Sequence, residues 1–205
     1  YTVHMKPISS VTDAIRDITA DNVKSDDAGT ISSVERQILE IDSSEATEDE
    51  QKKLNDAAEK CEALKDRIAE VTDEGNRLDD GVNGYDIGKV TSDDIADIEK
   101  LIDDIDKLLD SDNLTDTQRD DLEDLRDKAK DMLDRITAAE DVADAEEIKA
   151  VDGITEDNVK LDDKDALEKA KKVLESAIRD FDGNYTDEER KDLDAKLETV
   201  KAALA

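Results

Sequence analysis

The sequence is poor in the residues on which most catalytic and metal sites depend. It has one histidine (His4), one cysteine (Cys61), one proline and no tryptophan among 205 residues. A lone cysteine excludes an internal disulfide, so the chain neither requires nor excludes an oxidising compartment. A single histidine excludes Cys/His or Ser/His/Asp chemistry and histidine-rich metal sites within the repeats described below. No glycine-rich phosphate loop is present. We therefore expect no enzyme, and no catalytic, cofactor or metal residues.

Aromatic residues and positive charges are also scarce. Aromatics make up 2% of the chain, which disfavours sheets, and 29 basic residues face 60 acidic ones, for a net charge of -31. Such acidity repels nucleic acid and anionic lipid surfaces. No apolar run approaches the ~18 residues of a membrane span, and no signal peptide is present. We expect a monomer that does not bind nucleic acid and does not insert directly into a membrane.

What the chain does contain is a pattern repeated three times. Charged residues make up 43% and apolar residues 36%, a composition that leaves folding in doubt by itself. However, a Thr followed three positions later by Glu or Gln, the capping box of a helix start, occurs at Thr47–Glu50, Thr115–Gln118 and Thr186–Glu189. The first core leucine follows seven positions after each Thr, at Leu54, Leu122 and Leu193. Such fixed self-similarity predicts a repeat protein.

A second anchor recurs upstream of each capping box. Its pattern is an apolar residue, four further positions, a Val, two further positions and an Asp-Asp pair. The three copies are Ile18–Asp27, Tyr85–Asp94 and Ile154–Asp163. Together the anchors predict three units, at 8–73, 74–138 and 139–205. The small drift in spacing falls between anchors, where loops absorb insertions at little cost.

Each unit is predicted to hold three helices. The first is short, and its apolar positions are Val11, Ile15 and Ile18, then Leu78, Val82 and Tyr85, then Ile148 and Val151. The second follows the Asp-Asp pair and is clearest in unit two, where Ile95, Ile98, Ile102, Ile105 and Leu109 form a 3-4-3-4 apolar stripe. The third begins at the capped Thr. The fold class is therefore all-α.

The third helix of one unit is predicted to run on into the next. One heptad frame continues through Leu54, Cys61, Leu64, Ile68, Val71, Gly75, Leu78 and Val82, and another through Leu122, Leu125, Ala129, Met132, Ile136, Ala139 and Ala143. The second stretch has no helix-breaking residue. In the first stretch Gly75 is one, and we expect a kinked helix there as much as a straight one. Shared helices predict tandem three-helix bundles joined end to end, a spectrin-like rod.

The first seven residues are interpreted differently. Tyr1–Met5 alternates apolar and polar residues and is followed by the only proline, Pro7. This pattern predicts the last strand of an upstream β domain and then a boundary, so that residues 1–7 lie outside the repeats.

Several acidic and polar stretches resemble functional motifs without matching them. Gly88–Ile95 resembles the end of a calcium loop, but apolar residues fall where oxygen ligands are required. We interpret the acidic residues of the three loops as helix N-caps. Asn113-Leu114-Thr115 and Asn184-Tyr185-Thr186 read as glycosylation sequons, but their threonines are already explained as caps. Cys61, within a heptad frame, is interpreted as a buried core residue.

Three aromatic residues are the only candidates for a contact site. Tyr85, Phe181 and Tyr185 are nearly all the large aromatics available. Phe181 and Tyr185 lie near the loop that joins the second and third helices of unit three. We expect these residues to seal the ends of the bundles, and the alternative is a patch that contacts a partner protein.

The segments Asn158–Ala170 and Gly183–Arg190 resemble helical repeats of large cell-surface proteins from Gram-positive, often gut-dwelling, bacteria. Weaker echoes at Gly88–Ile98 and Asp112–Arg119 extend the resemblance to unit two. Related three-helix modules include the FIVAR type. The resemblance implies a secreted or cell-wall-anchored region beside Ig-like or carbohydrate-active domains, serving as a stalk or a ligand-binding module.

Three functions follow from these observations. The first is a structural one, an elongated acidic spacer that holds other domains away from a cell wall. The second is a binding module for a host or matrix protein, such as an immunoglobulin, with avidity gained by repetition. The third is an accessory region of a glycan-active enzyme. The almost wholly Asp, Glu and Lys character of the predicted exposed helix faces favours the spacer.

Overall fold

The computed structural model describes residues 2–181, 185 and 187–205, and the side chains of all of these except 2–7, 139, 180 and 181. Every regular element in those ranges is helical, which confirms the all-α prediction. The helices are α1 (Thr2–Asp13), α2 (Ala28–Glu40), α3 (Glu48–Asn83), α4 (Ile95–Leu109), α5 (Asp116–Asp144), α6 (Glu146–Lys149), α7 (Lys164–Phe181) and α8 (Asp187–Leu204). Short 3-10 turns at Ser25–Asp27, Ser43–Glu45, Ser92–Asp94 and Leu161–Asp163 precede four of them.

The chain divides into two compact structural units. Below, 'the first unit' and 'the second unit' mean these two, and the three predicted units are called repeats. The first unit comprises Tyr1–Asp80 with Asp104–Asp124, and the second comprises Gly81–Asp103 with Leu125–Ala205. A buried apolar cluster in the first unit contains Val11, Ile15, Val23, Ile31, Val34, Ala57, Cys61 and Leu64. A cluster in the second unit contains Ile148, Val151, Leu167, Ala170, Leu174, Ala177, Tyr185, Leu193, Leu197, Val200 and Ala203. Burial of these side chains is the main favourable term in the stability of each unit.

Two of the three predicted capping boxes are confirmed. The Thr47 N–H donates to Glu50 Oε2 at 2.8 Å, and the Glu50 N–H donates to Thr47 Oγ1 at 3.3 Å. Thr115 and Gln118 make the same reciprocal pair at 3.0 and 3.2 Å. These bonds satisfy amides that have no partner within the helix, and fix the starts of α3 and α5. Thr186, the third predicted cap, lies outside the described residues.

The three Asp-Asp pairs begin the second helices, as predicted, but by a different contact. In each pair the second carboxylate accepts a hydrogen bond from the backbone N–H three residues earlier. These bonds run from Lys24 to Asp27, from Thr91 to Asp94 and from Lys160 to Asp163, all at 2.8 Å. The acidic residues therefore tie the preceding loop to the helix start, rather than capping forward into the helix.

The predicted apolar stripes are the buried faces of the second helices. On α4, Ile98 and Ile105 are 1% and 0% exposed, and on α7, Leu167 and Leu174 are both fully buried. Ile95 and Ile102, at the edge of the α4 stripe, are half-buried. A helix with one apolar stripe packs that stripe inward and leaves its charged face in solvent.

Helix α3 passes through Gly75 without a break. It extends for 36 residues from Glu48 to Asn83, and Leu78 and Val82 beyond the glycine are both 0% exposed. Gly75 therefore does not end the helix. Burial of apolar positions on both sides outweighs the ~1 kcal/mol by which one glycine weakens a helix.

The second continuous helix is shorter than predicted. Helix α5 crosses from 138 to 139 but ends at Asp144, and Ala145, with ψ at 133°, separates it from α6. The predicted core position Ala143 is exposed, and Val142 is half-buried against the core cluster of the second unit instead. The break lets Ile148 pack into the same cluster, so tertiary burial ends a helix that no glycine or proline would have ended.

The strand predicted at the start of the chain is wrong. Residues 2–13 form helix α1, and Pro7 lies inside it rather than at a boundary. Five alternating residues cannot distinguish a strand from a helix. The helical spacing of Ile8, Val11 and Ile15, which are 2–4% exposed, belongs to the longer-range pattern that governs the segment.

Candidate functional site

A network of hydrogen bonds in the described part of the chain is built on a loop that occurs twice with nearly the same sequence. The first loop (Ile18–Asp27) and the third loop (Ile154–Asp163) differ only where Ala20 is replaced by Glu156 and Ser25 by Leu161. The first loop precedes α2, and the third loop precedes α7.

An asparagine closes both loops with the same bonds. Asn22 Oδ1 accepts from the Thr19 N–H at 2.7 Å, and its Nδ2 donates to the Asp17 carbonyl at 3.0 Å. In the third loop, Asn158 accepts from Thr155 at 2.8 Å and donates to the carbonyl of Gly153, a residue with φ of +77°, at 2.9 Å. A side-chain amide that bonds its own backbone in this way makes the loop rigid and leaves other carbonyls pointing outward.

The outward carbonyls of the first loop are occupied by a second asparagine. Asn113 lies in the turn between α4 and α5, here called the Asn113 turn (residues 110–115). Its Nδ2 donates to the carbonyls of Ala20 at 2.9 Å and Val23 at 2.8 Å. Its Oδ1 accepts from Arg67 at 3.0 and 3.2 Å. The side chain is 3% exposed, so this amide is buried with all its hydrogen-bonding groups engaged.

Two long basic side chains hold the parts of the first unit in place around this contact. Arg119 on α5 donates to the carbonyl of Leu109 at 2.6 Å and to that of Ser111 at 3.2 Å, which fixes the Asn113 turn. Lys60 on α3 donates to the carbonyls of Ile15 at 2.6 Å and Arg16 at 3.2 Å, where the chain leaves α1. Cations at carbonyl-rich helix ends are favoured by the helix dipole.

The second loop (Tyr85–Asp94) is built with different chemistry. Asp86 Oδ1 accepts from the Gly88 N–H at 3.0 Å, and this bond lowers the pKa of Asp86 below its usual value. The Gly88 carbonyl accepts from the Asp187 N–H at 2.8 Å, at the start of α8. A Cβ at Gly88 would lie 3.0 Å from Asp187 Oδ2, so glycine permits this close approach. Arg135, 20 positions after Thr115 as Arg67 is after Thr47, donates to the Ile87 carbonyl at 3.4 Å.

These contacts join backbone segments that are far apart in the chain. Each partner of the buried amide is a backbone carbonyl, an arginine or the Ser111 hydroxyl, none of which is poised as a nucleophile and base pair. The burial of Asn113 also removes it as a glycan acceptor, since both its amide N–H groups are used inside the protein. Its sequon threonine, Thr115, acts as the predicted cap.

Acidic residues of the stretch that resembles a calcium loop serve the backbone. Asp94 accepts from the Thr91 N–H, as described for the other two Asp-Asp pairs. Within the described ranges, no three His, Cys, Asp or Glu side chains lie close enough together to hold a metal ion.

Two clefts in the second unit have mainly aliphatic walls. One, of about 490 Å³, is lined by residues that include Ile148, Gly153, Leu174 and Thr199. It lies where the third repeat has Thr199 at the position held by Lys60 and Lys128 in the others. The other, of about 460 Å³, is lined by Ala138, Val142, Ala145, Val173 and their neighbours. Polar side chains also line both clefts, among them Thr155 and Asp152 in the first and Ser176 and Asp141 in the second.

Cys61 is a core residue, as predicted. It is 0% exposed within the apolar cluster of the first unit, and burial raises the pKa of its thiol, with a further contribution from Glu35. A reactive cysteine needs the opposite environment, an exposed and electropositive one.

The three aromatic candidates differ in how far they are buried. Tyr185 is 4% exposed and belongs to the core cluster of the second unit, so it seals the core and offers no surface to a partner. Burial raises its pKa, and the nearby Glu189 adds to the shift. Tyr85 is half-buried, and its pKa is raised by burial and then by Asp97 and Asp94. Phe181 is the last residue of α7, and its side chain lies outside the described set.

The asparagines were missed by the sequence analysis, although the sequence contained a signal for them. The Thr-x-x-Asn-Val-Lys pattern that positions Asn22 and Asn158 is visible when the two loops are aligned. Nothing local identifies the role of Asn113, because Arg67, Ala20 and Val23, which it joins, lie 46 to 93 positions away in the chain.

Comparison with known proteins adds no assignment to this geometry. None of the described helices combines the length and the apolar character required to cross a bilayer. No protein-family model matches the chain, and no curated protein or solved structure shows significant similarity to it.

Proposed function

We propose that the chain is a non-catalytic acidic spacer of a bacterial surface protein, secreted or anchored to the cell wall, and built from tandem three-helix modules of the FIVAR-like kind. The observation that carries the proposal is helix α3, which continues for 36 residues across the predicted boundary between the first two modules. A helix of that length spans about 54 Å. A helix shared by neighbouring modules is what the spacer proposal requires.

The charge of the surface also supports a spacer. The outer faces of α3 and α5 consist mainly of acidic and lysine side chains. Among the residues whose side chains are described, the two strongly exposed large apolar ones, Leu39 and Leu161, stand at non-equivalent repeat positions. A repeated binding module would carry an apolar patch at equivalent positions in each repeat. Strong negative charge keeps an extended segment soluble and separate from other acidic surfaces.

Small-angle X-ray scattering tests the spacer directly. Three modules joined end to end through shared helices would form a rod roughly 130–150 Å long, with a radius of gyration of about 40 Å. A globular fold of 205 residues has a radius of gyration of about 17 Å. A value near the smaller figure, at physiological salt and without concentration dependence, would overturn the proposal.

Capture experiments separate the spacer from the two other functions. The full chain, immobilised and exposed to serum and to mucus, should retain no specific stoichiometric protein if it is a spacer. Saturable binding of an immunoglobulin or a matrix protein would instead establish the binding module. Glycan binding, or stimulation of a glycan-active domain joined to this chain, would establish the accessory role.

A further inference from the structure

The third loop presents the same acceptors as the first loop, but without the same occupant. In the first unit, the carbonyls of Ala20 and Val23 accept from Asn113. The equivalent carbonyls in the third loop belong to Glu156 and Val159, and no hydrogen-bond donor from the described part of the chain reaches them. Because the two loops share their internal bonds, these carbonyls are held in the same arrangement.

The apolar residues around those carbonyls are also uncovered. Val23 and Val90, at the equivalent positions of the first two loops, are each 1% exposed. Val159 is only half-buried, and Leu161 beside it is 89% exposed. The third loop therefore combines two fixed acceptors with an exposed apolar surface, which together favour a partner that supplies both a donor pair and an apolar side chain.

We infer that the third loop is a docking surface for the turn of a further module of this same repeat, one that carries Asn followed by Leu before its capped helix. The Asn113 turn shows the required chemistry. Its carboxamide supplies two N–H donors to two carbonyls, and the adjoining Leu114 is 3% exposed. A carboxylate in place of the amide would face two carbonyl oxygens without a proton to donate.

The same comparison argues against a second copy of this chain as the occupant. The turn before α3 is the one that an end-to-end partner copy would offer, and there Glu45 and Ala46 stand at the positions of Asn113 and Leu114. Glutamate is acceptor-only when ionised, and alanine covers little apolar surface. The surface is therefore selective among repeats of one family. This inference does not depend on the spacer function.

An in-register extension of the full chain tests the docking. A copy of residues 67–138 is appended after Ala205, so that the copied Arg67 falls 20 positions after Thr186, as the original Arg67 falls after Thr47. The appended segment then brings its own Asn113 turn to the third loop. Hydrogen exchange at the backbone of 153–163 should slow about tenfold relative to the unextended chain.

Variants of the appended segment identify the cause of that protection. Asn113→Asp and Asn113→Ala in the appended copy should restore the exchange rate of the unextended chain while the added helices stay folded by circular dichroism. The original Asn113→Ala is the positive control, and should speed exchange at 17–27. Protection that survives both appended substitutions would overturn the proposal, as would no protection in an appended segment that is folded. Concentration-dependent self-association of the unextended chain that Leu161→Ser abolishes would replace it with a homotypic contact.

Discussion

Replacement of Asn113 should lower the stability of the first unit more than replacement of other polar residues there. Asn113→Ala removes the donor to the buried Val23 carbonyl and to the part-buried Ala20 carbonyl, and the acceptor for two N–H groups of Arg67. We expect the free energy of unfolding to fall by about 2–4 kcal/mol, measured by urea denaturation.

An exposed asparagine on a helix provides the matched control. Asn55 lies on the solvent face of α3, and Asn55→Ala should change stability by less than about 0.5 kcal/mol or raise it slightly through helix propensity. Equal effects at the two positions would mean that the buried amide is not the link between the Asn113 turn and the first loop.

At the scale of single residues, sequence reasoning succeeded where the partners are local. Thr47 and Thr115 were identified as caps because their partners lie three positions away. Asn113 was read only as part of a sequon, since nothing in its neighbourhood reveals a contact made 90 positions earlier. Tyr185 was expected to seal the end of a bundle or, alternatively, to contact a partner, and its 4% exposure could not be known from the sequence.

Among the helices, α3 contains two glycines that should respond differently to alanine. A Cβ at Gly75 meets nothing within 4 Å, so Gly75→Ala should stabilise the protein by about 1 kcal/mol through helix propensity. A Cβ at Gly81 would lie 2.8 Å from Leu101 Cδ2, so Gly81→Ala should gain less or lose stability. Thermal unfolding of the two variants makes the comparison, and a destabilising Gly75→Ala would contradict a regular helix at that point.

Helices α3 and α4 are linked by an arginine whose contribution depends on pH. Arg77 donates to Glu74 at 2.7 and 2.9 Å and to Asp104 at 2.9 Å, and these bonds lower the pKa of both carboxyl groups. Because the folded-state pKa values are depressed, the contribution is fully present above the ordinary carboxyl pKa. It is lost as pH falls through the lowered values.

The corresponding variant is Arg77→Met. Since the side chains are partly exposed, we expect a loss of only about 0.5–1 kcal/mol at pH 7, which shrinks as pH falls through the lowered pKa values of Glu74 and Asp104. Lys52→Met removes a more exposed pair with Asp56 and controls for the change in net charge. A deficit for Arg77→Met that stays constant down to pH 2 would show that packing of its stem, not the ion pairs, is responsible.

The helices themselves were predictable to different degrees. The stripe of α4 and the passage of α3 through Gly75 follow from sustained apolar periodicity, which outweighs a single weak position. The end of α5 at Asp144 was not predictable, because alanine at 145 is not a helix-breaking residue. Its non-helical conformation is favoured by the burial of Ile148, which lies close to it in sequence. The helix at 2–13 was missed because a five-residue window held a stronger strand pattern than helix pattern.

Over the whole molecule, charge repulsion should limit stability. With a net charge of -31, screening should favour the folded state as the Debye length falls from about 30 Å at 0.01 M salt to about 8 Å at 0.15 M. We expect the melting temperature to rise with NaCl over this range, by about 2–4 °C for each kcal/mol of repulsion removed.

Neutralising part of one acidic face checks this interpretation. Asp120→Asn, Asp121→Asn, Asp124→Asn and Asp127→Asn together remove four exposed negative charges from α5. This variant should melt higher at low salt and gain less from added NaCl. A melting temperature that is unchanged or lower in salt would count against repulsion as a major term.

The single thiol makes the opening of one of the two units measurable by chemical modification. Cys61 is fully enclosed in the first unit, and the second contains no cysteine at all. A thiol-specific reagent can therefore modify the chain only during excursions that open the first unit, and its rate reads their frequency without any engineered label. Tension or crowding applied to the molecule would become visible as a change in that rate, whereas strain confined to the second unit would pass unrecorded.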